Sequence, residues 1–288
     1  MPAKSTAKAK PQFLQARNLG KIPWLVHGFS TRAGGFSRVY GGHALNLGFT
    51  QHDVRETVEK NRILFIQTMG VAGWPLVTVR QIHSDLIYCV DRPSGLPLSG
   101  DGLITNAPGL LLAVLTADCL PVILVDRKTR AVGVFHAGWR GTVNRIVEKG
   151  VGEMRRHHGS NPKDLQAAIG PGVRSCCYVV GEEVRQKFQS QFNYAKDLFR
   201  EVKESDPVRE KYPLLFLTAR APGHGELPAK IFLDLVEANS RQLRDAGVPL
   251  KNIDATAACT ACNAGLFFSH RAEKGVTGRM LAAVGIRE

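Results

Sequence analysis

The 288-residue sequence predicts a mixed domain, α/β or α+β, in which helices cover a mixed β-sheet. Three observations lead there. Short apolar runs, leucine-rich or β-branched, recur at 76–79, 86–90, 110–115, 121–125, 131–135 and 165–169, as buried strands require. Segments with helix-spaced apolar positions separate several of these runs. The two kinds of segment interleave to the end of the chain, which favours one domain over 13–288 behind a basic tail at 1–12.

In order, 25–29 reads as a strand, followed by a glycine-rich loop at 30–37 in which Arg32 and Ser37 are placed to hold an anion. Residues 52–69 read as a helix, with Asp53 as cap and Glu56 completing a capping-box-like pair. Asn61 and Arg62 fall on its polar side, as helix-surface residues. His83 lies at a bend between the strands 76–79 and 86–90, and Asp101-Gly102 reads as a turn. The polar turn 126–130 pairs the flanking runs as a hairpin, bringing Cys119 and His136 to the same end of the sheet. Helices follow at 144–158, 182–192 and 230–246, with short strands at 165–169, 253–259 and 267–271. The charged, proline-bearing stretch 193–228 is the least regular part and reads as a lid or a variable insertion.

Composition narrows the class. Apolar residues make up 44% of the chain, enough for a sizeable core. No apolar run approaches the roughly 20 residues of a membrane span, and the lysines of the first twelve residues have no apolar segment behind them, so a cytoplasmic protein is expected. The net charge is +13, three of it from Lys4, Lys8 and Lys10. No recognition motif or aromatic–basic interleaving accompanies it, so an anionic ligand is expected rather than nucleic acid. The six cysteines read as thiols in a reducing compartment, and Cys259 and Cys262, though spaced CxxC, as two buried thiols without a redox role.

The chemistry rests on His83, Cys119 and His136. One thiolate and two imidazoles suit zinc, with a fourth position left for a water whose proton is lost near neutral pH. The same residues also suit a metal-free Cys–His nucleophilic pair, or three unrelated buried side chains. Asp118 is the nearest carboxylate in sequence, but neighbours on a strand face opposite ways; it serves the site only if the backbone bends at 119–121. Arg140 follows His136 at a glycine-bearing strand–helix junction, suited to a bidentate phosphate contact.

Four segments carry a resemblance: Gln81 to Ser84, Gly100 to Gly102, Thr116 to Pro121 and His136 to Gly141. Further matches lie at Arg32, Gly34, Gly35, Asn46, Asn61, Arg62, Gly170, Pro171, Tyr178 and Arg279. Together they resemble the YfiH-type laccase-domain family, described as purine nucleoside phosphorylases and formerly as multicopper polyphenol oxidoreductases. The likeness runs from about 25 to 286, and His270 stands where members more often carry tyrosine.

The resemblance implies an α+β fold, the CNF1/YfiH-like layered sandwich with helices packed on mixed β-sheets. It implies His83, Cys119 and His136 as metal ligands, zinc or else copper. It implies phosphorolysis of adenosine, inosine and methylthioadenosine to base and ribose 1-phosphate, with an adenosine deaminase activity besides. Purine nucleoside and phosphate would be the partners. On charge and glycine-rich context Arg32 and Arg140 are the candidates for phosphate; with Asn46 they make the expected substrate-binding set, and Cys119, Asp118 and Arg140 the expected catalytic set. A monomer or homodimer without membrane attachment is expected. Copper-dependent polyphenol oxidation ranks below these, because only His83 and His136 of the nine histidines sit in the signature segments and one such site does not readily pass four electrons to oxygen.

Overall fold

The computed structural model describes residues 11–93, 95, 98–203 and 229–288. The chain divides into two compact units, Met1–Arg174 with Leu235–Glu288, and Ser175–Asp234.

Two sheets make up the larger unit. Edge to edge, the first holds β1 (Phe13–Leu14), β2 (Leu25–Ser30), β15 (Met280–Ile286), β7 (Leu111–Thr116) and β4 (Leu76–Thr78). The second holds β14 (Ile253–Ala255), β10 (Leu165–Ile169), β8 (Leu120–Asp126), β9 (Ala131–Ala137), β6 (Gly102–Thr105) and β5 (Ile87–Cys89). Both are mixed: β4 runs parallel to β7, β5 to β6 and β10 to β14, and the other neighbours are antiparallel.

The period-2 alternation of β7 explains how the layers stack. Leu112 and Val114 join Ile123, Val125, Val132 and Val134 of the second sheet in one core. Leu111 and Ala113 point the other way, into a core with Leu45, Leu47 and Phe65, the last from α1 (Arg55–Thr68). On the far side of the second sheet lies α3 (Ile146–His158), whose Gly150 rests against the Phe135 ring of β9. Next to it, α5 (Leu235–Asp245) is tied to the short α2 (Trp139–Val143) by Gln242 Nε2, which donates to Thr142 O at 2.8 Å. Helix, sheet, sheet, helix is the α+β layered sandwich expected.

The hairpin forms as expected, with Asp126 opposite Ala131 and Pro121 opposite His136. Asp126 Oδ1 accepts the amides of Lys128 and Thr129, closing the turn. The runs 110–115 and 121–125, however, belong to different sheets. The chain crosses between them at 117–119, and Asp118 takes the left-handed backbone there, φ 95°.

Several boundaries differ from expectation. α1 begins at Arg55 without a side-chain cap. Asp53 is engaged elsewhere, its Oδ2 accepting from Ser37 Oγ and Asn46 Nδ2 at 2.6 and 2.8 Å, in the loop that follows β3 (Ala33–Ser37). Asn61 and Arg62 are not surface residues. Asn61 is fully buried and donates to Ser37 Oγ and Asn46 O, while Arg62 Nε donates to Leu47 O and its guanidinium stacks on Phe49. The expected helix 144–158 is broken at Arg145, φ 63°. No strand forms at 267–271, where Phe267 and Phe268 are buried in a turn region. Of the expected thiols, Cys259 is buried but Cys262 is exposed.

The smaller unit holds an antiparallel sheet of β11 (Val179–Val180), β13 (Ala229–Leu233) and β12 (Phe199–Lys203), with α4 (Glu182–Gln191). Phe188 of α4 meets Phe192 and Phe199 ring to ring. β13 replaces the start of the helix expected from 230: Ile231 and Leu233 are buried two apart, and both neighbouring strands claim its backbone. Of the stretch read as a lid or insertion, 204–228 lies outside the described residues, as do 1–10 of the tail.

Candidate metal centre

One strand end and two loops deliver the three expected ligands. His136 is the penultimate residue of β9 and is buried. Cys119 immediately precedes β8, at the crossing between sheets, and is half-buried. His83 sits exposed in the bend between β4 and β5, with φ 58°. One potential ligand atom from each lies within 4.8 Å of the others, and the two imidazoles meet edge to face at 4.9 Å between centroids.

The backbone around them is arranged to allow this. Gln81 acts as an extra rung on β7: its Oε1 accepts Leu115 N at 2.7 Å and its Nε2 donates to Leu115 O at 2.8 Å, which holds the His83 bend to the neighbouring strand. A Cβ at Gly138 would stand 2.9 Å from Cys119 Sγ and 3.3 Å from His83 Cδ2, so only glycine leaves room there for both ligands.

Asp101, expected only to turn the chain, is fully buried beside the ligands. Its Oδ1 accepts from His136 Nδ1 at 2.8 Å. Burial opposes its charge, but hydrogen bonds from His136 and Ser84 win and hold its pKa at about 2. Burial likewise pushes the Cys119 thiol up, yet the His136 charge and hydrogen bonds from His136 and His83 bring it down to about 6. For His136, burial is outweighed by the Cys119 charge and the Asp101 hydrogen bond, which raise it to about 9. Without a metal, the centre therefore favours a thiolate beside an imidazolium.

The donor set fits a divalent ion. Asp101 occupies Nδ1 of His136, leaving Nε2 for coordination; a thiolate and two imidazoles complete three positions of a tetrahedron and leave one open.

Of the remaining expected site residues, Asp118, Arg32 and Asn46 are hydrogen-bonded within the scaffold. Asp118 does bend away from the strand, but its carboxylate turns into the scaffold: Oδ1 accepts Thr260 Oγ1 and Oδ2 accepts Arg271 N, both at 2.6 Å. Arg32 spends its guanidinium on the carbonyls of Ala264, Phe267 and Tyr40 and on Glu273. Asn46 is fully buried, donating to Gly48 O and Asp53 and accepting Arg279 N. These contacts make Arg32 and Asn46 braces of the glycine-rich loop. Arg140 differs: it is exposed on the first turn of α2, its guanidinium stacked 4.5 Å from the Trp139 ring.

Residues 26–287 match the model of a family described as multi-copper polyphenol oxidoreductase laccase. The chain belongs to this family. It is 36% identical to purine nucleoside phosphorylase YlmD of Geobacillus stearothermophilus, over 91% of this chain and 90% of that protein. It is 33% identical to adenosine deaminase RL5 from an unknown prokaryotic organism, over 85% and 88%. The crystal structure of the Geobacillus YlmD superposes with a TM-score of 0.79, at 33% identity and 98% coverage of both chains. Relatives with these names are enzymes, and so is this family member. Among the described residues no helix is long and apolar enough to cross a membrane.

Proposed function

We propose that this protein is a metal-dependent purine nucleoside phosphorylase that also deaminates adenosine. The observation that carries the reading is the convergence of His83, Cys119 and His136 within 4.8 Å, open to solvent on the His83 side. Relatives named purine nucleoside phosphorylase and adenosine deaminase support the substrate class. Zinc is the metal this set suits best, and when bound it supplies Lewis acidity at its open position. Cys119 coordinates as the thiolate, which its imidazole neighbours already favour. Asp101 keeps the His136 proton on Nδ1. Arg140 presents an exposed planar fork for phosphate, four residues beyond His136. Asp118 braces the Cys119 backbone through Thr260 and Arg271. A reduced, cytoplasmic setting suits a centre that depends on a thiolate.

Two other readings rank lower. A metal-free Cys–His hydrolase has the thiolate–imidazolium pair in its favour. Polyphenol oxidation has the family's description in its favour. Against it, among the described residues only one cluster of three or more potential ligands contains histidine, and a multicopper oxidase needs several such sites.

Product analysis of adenosine with and without phosphate, on protein of measured metal content, decides among them. Adenine formed only with phosphate is the expected main result, with inosine as the phosphate-independent product. Turnover that survives full metal removal overturns the metal-dependent reading in favour of the hydrolase. A protein that leaves purine nucleosides untouched but oxidises a catechol overturns the substrate class.

A further inference from the structure

The geometry points to Asp101 as the positioning residue that builds both histidine arms of the centre at once. This inference rests on the reading of His83, Cys119 and His136 as metal ligands. Oδ1 of Asp101 accepts from His136 Nδ1 at 2.8 Å and from the His83 backbone N–H at 3.1 Å. Oδ2 accepts the amides of Ser84 and Ile82 at 2.6 and 3.2 Å, and the Ser84 hydroxyl at 2.8 Å. The Asp101 carbonyl accepts His136 N at 2.8 Å.

Three successive amides, from Ile82 to Ser84, thus converge on one carboxylate. Amides so arranged form an anion-binding concavity, and here the protein's own carboxylate fills it. The concavity requires the left-handed backbone at His83, φ 58°, an unfavourable conformation for a residue with a Cβ. The carboxylate supplies what holds that bend, and with it the position of the His83 imidazole. On the other side it fixes His136 in the tautomer that turns Nε2 towards Cys119, and its charge makes the imidazole a stronger donor.

Asp101 is fully buried, so its hold on both arms is made inside the protein. One substitution therefore loosens two expected ligands, one from a loop and one from the end of β9.

The test uses the full chain and two probe metals. Zinc affinity is measured by competition with a chromophoric chelator, and cobalt(II) reports coordination geometry through its ligand-field bands. Wild type is expected to bind one zinc per centre and to give tetrahedral cobalt bands with a thiolate charge-transfer feature. Asp101→Asn, checked for fold by circular dichroism, is expected to bind zinc roughly ten- to a hundredfold more weakly with shifted cobalt bands. Should that variant not fold, Ser84→Ala serves: it removes only the hydroxyl contact to Oδ2 and is expected to weaken zinc about threefold or more, in the same spectral direction. Folded Asp101→Asn with wild-type affinity and bands overturns the role of Asp101, as does an unchanged Ser84→Ala where Asp101→Asn does not fold. A wild type that takes up neither metal instead removes the metal reading on which the inference stands.

Discussion

Arg140, four residues beyond His136, faces solvent and stacks on Trp139, whereas Arg32 is spent on carbonyls. A hydrogen bond to a charged group contributes about 1.5–3 kcal/mol. Arg140→Ala is therefore expected to raise the KM for phosphate by about tenfold or more, with metal content unchanged. Arg140→Lys keeps the charge but loses the planar fork, and should fall between. Initial rates against phosphate concentration measure this; an unchanged phosphate dependence in Arg140→Ala removes the assignment. At this scale the clustering of His83, Cys119 and His136 was legible, because histidine and cysteine at strand ends are informative by type. Asp101 was not, because Asp-Gly is a turn signal wherever it occurs, and its partners lie 17 and 35 residues away. Asn61 misled for the same reason: periodicity marks apolar faces and is silent on a buried amide whose partners, Ser37 and Asn46, come from another loop.

The strand that carries His136 packs against its helix through the ring of Phe135. Phe135 is fully buried, and Cβ atoms added at Gly102, Gly133 or Gly150 would stand 2.8, 2.8 and 2.6 Å from it. Glycine in a helix interior normally costs about 1 kcal/mol relative to alanine, so helix propensity alone favours Gly150→Ala. Packing opposes it: a ring enclosed by β6, β9 and α3 has nowhere to shift, and overpacking costs roughly 1–3 kcal/mol. Gly150→Ala is expected to lower the denaturant midpoint, and the exposed control Gly152→Ala, with open space around its Cβ, to leave it unchanged or raise it. A stabilised Gly150→Ala would show that α3 is free to move off the sheet. The hairpin β8–β9 was legible because its turn is polar and short and its flanks are apolar. The helix expected from 230 was not: Lys230 to Leu233 fits a helical stripe as well as a strand, and only pairing with β11 and β12 decides. The sheet crossing at Asp118 left no local signal, since a left-handed aspartate beside two apolar runs looks like any polar interruption.

For the molecule as a whole, the sandwich was legible as alternating apolar runs, but which runs shared a sheet was not, because buried strands look alike on both faces. One buried side chain in that sandwich makes it sensitive to acid. His27, on β2, is 1% exposed, and its Nε2 accepts the Ala16 amide at 3.1 Å. Burial lowers its pKa from 6.5 to about 4. Between those two values the unfolded chain takes up a proton that the folded chain refuses, so the contribution of His27 is fully present above pH 6.5 and is lost as pH falls towards 4. At 1.36 kcal/mol per pH unit the window is worth about 3 kcal/mol. A chain of net charge +13 gains further positive charge in the same range, which adds self-repulsion to the effect. His27→Gln keeps an acceptor for Ala16 N without the titration. Its urea midpoint is expected to be lower than wild type at pH 7.5 but to change much less between pH 7 and 4.5. Parallel midpoint curves for the two proteins would show that the acid sensitivity of the sandwich originates at other groups.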